Sequence, residues 1–419
     1  MTTAVLDLPS SRAEAWRWAD LGALSAAAAL APVAAGEGDH FLDLPGARLV
    51  FVGGVLDDAR SDLGGVTIEA IGASDHALGA RAAGEGWALR VDRQAVAYPV
   101  QIVHVATGGE NHLPATIVLA EDAVAQIVET YVGAGWSNRF IRVELAASAR
   151  LMRAVRIVQA AGFVSLREEA TLGAGASLVT TFLGAGAAGS RIDAQIGIEG
   201  DAAFAEYGGA LLTADTQQQE CAVRVRHDAV GGQSHQLWRA VAKDRSTASL
   251  AAAVEVARDA QKTDGEQSLR GLLLDRTATV NLKPELEIFA DDVKCAHGAT
   301  VGELDARALF YMQSRGIPTP RATALLTRAF VADALGRIAD ETVRAAFEAD
   351  ADAWLAAALA ARARAAVPLA AAVRAAAAAT AAVAARTAAA AWRWRWRRWR
   401  RGRRRGVEGG VGGVGGGKR

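Results

Sequence analysis

Apolar and polar residues alternate in short runs from Val100 to about Ala299, as in Gln101-Ile102-Val103-His104-Val105, Ile141-Arg142-Val143-Glu144-Leu145 and Cys221-Ala222-Val223-Arg224-Val225-Arg226. A period of two sends successive side chains to opposite faces, so the stretch predicts strands. A longer period lies on top of it. LAEDAVA from Leu119, LAASARL from Leu145, LGAGASL from Leu172 and IEGDAAF from Ile198 share one form: an aliphatic residue, a three-residue small or acidic turn, Ala, any residue, then an apolar residue. Their starts lie 26, 27 and 26 residues apart. A sandwich has turns every ~8–12 residues and no recurring phrase, whereas a fixed period of this size with strands inside each unit predicts stacked coils. The expected fold is mainly β, a parallel β-helix whose corners take small residues because neighbouring coils crowd there.

The flanks read differently. Residues 12–31 are good helix formers with Ser10 or Ser11 as N-cap, and 42–98 mix short alternating runs with Gly and Asp turns. After residue 300 the period becomes helical. Glu303 to Ser314 is followed by Arg315, Gly316 and Pro318, a normal helix stop. Thr319-Pro320 then starts a helix through about Ile338 with Leu325, Leu326, Phe330, Ala334, Leu335 and Ile338 on one face, and a third helix runs from about 340 to 359. The expected organisation is an N-terminal helical and mixed region over 1–95, a β-helix core over 96–300, a C-terminal helical domain over 301–360 and a low-complexity Ala/Arg/Trp/Gly tail over 361–419.

Charge changes the picture only when divided along the chain. The 419 residues carry 46 Lys+Arg and 46 Asp+Glu. Residues 361–419 hold 15 of the basic residues and one acid, so the part that reads as folded is acidic and gives no case for nucleic-acid binding. In the tail, Trp392, Trp394, Trp396 and Trp399 interleave with Arg. That pattern could bind nucleic acid or an anionic membrane surface, but it reads better as a disordered extension. The apolar run 21–35 is preceded by Asp7, Glu14 and Asp20, against a signal peptide, and 369–391 is weakly apolar and interrupted by Arg374 and Arg386, against a membrane span. A soluble, cytoplasmic protein is expected. Two cysteines, Cys221 and Cys295, exclude a disulfide framework and a four-cysteine metal site.

Two glycine motifs carry no chemistry. Gly184-x-Gly186-x-x-Gly189 matches a dinucleotide fingerprint, but Ser190 to Ile198 alternates as a strand where that site needs a helix. Gly412 to Arg419 lacks the Ser/Thr and the helix of a phosphate loop. The densest polar stretch is PELEIFADDVKCAHGATVGELD, from Pro284 to Asp305. If Val293 to His297 is a strand, Cys295 and His297 project from one face and pair a thiolate with an imidazole, ligands that suit iron or zinc. Two ligands are not a complete shell, so a metal would need a partner chain or solvent. From spacing alone, a buried cysteine beside a hydrogen-bonded histidine is the preferred reading.

At this segment the chain resembles a known family. PELEIFADDVKCAHGATVGELDARALFYMQSRGIP, with DAQKTDGEQSLRGLLL from Asp259, is similar to the SufB/SufD proteins of the SUF iron–sulfur cluster assembly machinery; weaker similarity runs from about 100 to 359. The resemblance implies a right-handed parallel β-helix flanked by helical regions, and a scaffold subunit instead of a free-standing enzyme. It implies a SufD-type subunit paired with SufB, the ATPase SufC docked on its C-terminal helices, and a transient iron–sulfur cluster formed at the SufB–SufD interface. A reduced flavin is reported for the family's complex, and a homodimer is conceivable without SufB. The SufB cysteine would fall near Leu269 in Ser268–Leu273, where this chain has none, which favours the SufD branch. His297 then becomes the expected interface ligand, with Cys295 beside it, and Leu325, Leu326, Phe330 and Leu335 the expected partner-binding helical face. The rival readings are a carbohydrate-active β-helix enzyme, and a nucleic-acid or membrane binder acting through the tail.

Overall fold

The computed structural model describes residues 6–36, 38 and 40–360. The readings placed on 361–419 lie outside them. The alternating segments form two ladders of parallel strands, one strand of each coil in each ladder. The first ladder stacks the C-terminal halves of Val100–Leu119 and Val124–Leu145 with Ala161–Leu172, Gly189–Ile198, Gln218–His227, Thr247–Val256 and Thr279–Ile288. The second stacks the N-terminal halves of the same two long strands with Arg150–Ile157, Ser177–Gly184, Phe204–Thr213, Gln233–Ala242, Asp264–Leu273 and Lys294–Glu303. This is a parallel β-helix. It begins earlier than residue 96: Arg48–Val52 pairs parallel with 101–105, and 87–91 with 115–119, so part of the mixed region supplies an opening coil.

The recurring phrase is a coil corner. Leu119, Leu145, Leu172 and Ile198 are register partners in successive coils, and His227 continues the row. Inside each corner one residue adopts positive φ: Asp122, Ser148, Gly175, Ala202, Gly231 and Lys262, between 54° and 69°. The N–H of each donates to a carbonyl of the next coil, such as Ser148 to Ala174 at 2.8 Å and Ala202 to Val230 at 2.9 Å. That bond offsets the roughly 1–2 kcal/mol a non-glycine residue gives up in this conformation. Crowding is visible at Gly200, where a Cβ would stand 2.0 Å from the Ala174 nitrogen. The Gly184–Gly189 motif closes one strand and opens the next, as a corner should.

The interior is mostly aliphatic but holds a buried charged cluster. Arg153 donates to Glu129 Oε1 from Nη2 at 2.6 Å and from Nε at 3.2 Å, and Nη1 donates to Glu168. Tyr131 and Tyr207 donate to Glu129 (2.9 Å) and Glu168 (3.1 Å). Arg139 Nε donates to His104 Nδ1 at 3.2 Å, which leaves the Nε2 proton of His104 to face Glu129 at 3.3 Å. Burial and the Arg139 charge lower His104 to about 4, so it sits neutral.

The N-terminal expectation needs correction. In place of one helix over 12–31 there is a single 3-10 turn, Glu14–Trp16, and a helix Leu21–Ala28 capped by Asp20, whose carboxylate accepts from Ala23 N at 2.8 Å. Trp16 explains the break: it turns inward, stacks on His76 and lies 4.4 Å under the Arg191 guanidinium, which a continuous helix could not arrange. At the other end, Ala306–Ser314 is capped by Asp305 and stopped at Gly316 (φ 83°), Thr319–Leu335 follows with proline in its first turn, and 341–360 is helical. Val331, Ala334, Leu335, Ile338, Val343 and Phe347 pack on Val128, Leu183, Leu212, Val241 and Leu272 of the second ladder.

Candidate functional site at the open end of the β-helix

The last coil ends the stack. Lys294–Glu303 pairs with Asp264–Leu273 on one side, and among the described residues no strand pairs with its other edge. Thr279–Ile288 likewise pairs only with Thr247–Val256. Nearly every residue of Lys294–Glu303 is exposed, and apolar side chains stand open around it: Ile288, Phe289 and Val301 are 39%, 54% and 42% exposed. Such an end exposes unpaired backbone groups and the mouth of an apolar interior.

Cys295 and His297 lie on this strand with one residue between them. Register places Cys295 beside Gly265 and His297 beside Gln267. Gly265, Gln267 and Leu269 are buried while Glu266 and Arg270 are exposed, so the odd-numbered positions are the inward row of that strand. Cys295 continues this row: it packs on Val254, Val256, Ala260 and Ala290, and burial pushes its thiol above the ordinary range. His297 follows at the mouth and is exposed. Among the described residues no group of three or more His, Cys, Asp or Glu is placed to hold a metal ion.

The other candidates fall into place. Leu269 is fully buried in the interior and supplies no ligand. Cys221 is buried, its thiol pushed well up by burial. On the helical face, Leu335 is a correction: it is fully buried against the β-helix of its own chain and holds the helix in place, because the same stripe that amphipathicity marks is the one the core takes. Phe330 packs partly on that cluster, Leu326 is half-buried, and Leu325 is 39% exposed. The sequence reading gave no role to Phe310 and Tyr311, which are 72% and 60% exposed on Ala306–Ser314. No helix of the described residues is long and apolar enough to cross a membrane.

A parallel β-helix with an exposed, singly paired strand at its end defines a class: a β-solenoid with an open end, here carrying Cys295 and His297. Comparison with known proteins gives the family. The description "SUF system FeS cluster assembly, SufBD core domain" matches residues 103–330, more than half of the chain, and the chain belongs to that family. It is 29% identical over 268 residues to the iron–sulfur cluster assembly protein SufD of Escherichia coli, covering 60% of this chain and 62% of that protein. A SufBD family protein of Synechocystis is 34% identical over 153 residues (36% of this chain, 34% of that protein), and SufD of Bacillus subtilis 28% over 145 (35% and 33%). The chain spans less than two thirds of the length of these relatives. It is SufD-like.

Proposed function

We propose that this chain is the SufD-type scaffold subunit of a SUF complex, not an enzyme by itself. It pairs through Lys294–Glu303 and Thr279–Ile288 with SufB, and the two subunits together hold the nascent cluster that is their cargo. The single observation that carries this reading is the exposed, singly paired strand bearing His297 at the mouth of the β-helix. An edge strand of this kind recruits a strand from another chain, and the apolar rim at Ile288, Phe289 and Val301 gives that contact a hydrophobic component. His297 is the ligand this subunit contributes, with Cys295 half-buried beside it.

Phe310, Tyr311 and Leu325 form the docking surface for the SufC ATPase, on helices anchored to the second ladder by Leu335 and its neighbours. ATP hydrolysis in SufC would thereby be transmitted to the coil ends where the cluster forms. Co-expression with SufB and SufC tests the reading: the three chains should elute as one complex in size-exclusion chromatography. A monodisperse monomer that binds neither partner contradicts it.

A further inference from the structure

We infer that Gln267 is the positioning residue for His297: its side-chain carbonyl oxygen, unpartnered in this structure, accepts one imidazole N–H when the ring turns onto it and leaves the other ring nitrogen free for iron. The inference rests on the reading of His297 as a metal ligand. Gln267 and His297 are register partners on adjacent parallel strands, both in the inward row. Parallel strands run about 4.8 Å apart, so same-row side chains stack one above the other.

The amide of Gln267 is held in one orientation. Its Nε2 donates to the Glu285 carbonyl across the interior at 3.2 Å. Its Oε1 is buried with no hydrogen-bond partner, in a residue that is 1% exposed. A buried acceptor of this kind calls for a donor. The next residue in its row toward the open end is His297, whose imidazole is exposed. Metal-binding imidazoles as a rule donate their second N–H to an oxygen of the protein, which fixes tautomer and ring orientation. The Gln267 oxygen, in the same row one strand away, completes that arrangement from within the chain once the imidazole turns toward it.

Gln236 provides an internal control. It is the register partner of Gln267 one coil further in, its Nε2 donates to the Ala253 carbonyl at 2.9 Å, and its Oε1 is likewise unpartnered, yet its partner toward the open end is Gln267 and not a histidine. The full chain, labelled with 15N at histidine, reports the His297 tautomer through the two ring-nitrogen shifts. Wild type should show one dominant tautomer. Gln267→Leu should shift it toward the mixture of a free imidazole, Gln267→Glu should keep it, and Gln236→Leu should leave it unchanged, with circular dichroism confirming the fold of each. In the assembled complex, Gln267→Leu should weaken ferrous iron binding by roughly 10–100-fold without loss of assembly. A wild-type tautomer in Gln267→Leu, or an equal change in Gln236→Leu, overturns the inference. His297→Ala with unchanged iron affinity would instead remove the metal-ligand reading while the tautomer result still decides the role of Gln267.

Discussion

Replacing Arg153 with Met isolates what the buried charges inside the β-helix contribute. The guanidinium is 3% exposed and is shared by Glu129 and Glu168, themselves 1% and 2% exposed. Met keeps most of the aliphatic stem, so the packing loss is small and the electrical loss dominates. Two carboxylates would be left with only tyrosine hydroxyls and a neutral imidazole, and breaking a buried pair by removing one partner costs about 3–5 kcal/mol. Burial alone would raise the Glu129 carboxyl, but Arg153 and the His104 contact outweigh it and hold it well below the usual carboxylate range. A carboxyl lowered in the folded state stabilises above its unfolded pKa near ~4.5 and loses that contribution as pH falls. In the variant the lowering charge is gone and burial raises the Glu129 carboxyl, so acid protonates and relieves it. Urea unfolding at pH 7 should show the deficit, and at pH 4 the deficit should be smaller. A loss under about 1 kcal/mol at pH 7, or the same loss at both pH values, would refute the reasoning.

The corners offer a paired test: Gly200→Ala should destabilise by about 1–3 kcal/mol through its clash with the Ala174 backbone, whereas Ala202→Gly, at φ 54°, should be neutral or slightly stabilising in the same unfolding assay. His104 and His227 are both lowered to about 4, by burial first, so each favours folding above the unfolded value near ~6.5 and loses that effect as pH falls toward 4. Stability measured from pH 7 to 4 should therefore decline, and His227→Gln should flatten part of the slope. Leu335→Asp should unfold the helical region, seen as lost helical circular dichroism, while Phe310→Asp should leave the spectrum intact and weaken capture of SufC; the opposite pattern would move the docking surface elsewhere.

The coil period was legible because its corners impose one repeated requirement, a small residue or a left-handed turn every coil, which Ala147-Ser148 and Gly173-Ala174-Gly175 state locally. The Cys295/His297 pairing was legible from strand alternation, since a period of two fixes which residues share a face. Other features depend on contacts between distant segments. The break at Trp16 is set by His76 and Arg191, and the opening coil from 48–91 by register with 101–119; neither neighbour is visible in local pattern. Amphipathicity marked Leu325 and Leu335 alike, because periodicity identifies an apolar stripe without saying which chain covers it. Gln267 drew no attention for a related reason: a lone glutamine in a strand becomes informative only when its oxygen is found buried and unpartnered beside His297.

The central claim is that His297, at the mouth of this β-helix, supplies part of a coordination shell that SufB completes. Iron and acid-labile sulfide measured in the purified three-subunit complex, wild type beside His297→Ala, test it most directly. The account predicts unchanged subunit stoichiometry with the cluster lost in the variant. Equal iron and sulfide in the two complexes would contradict it.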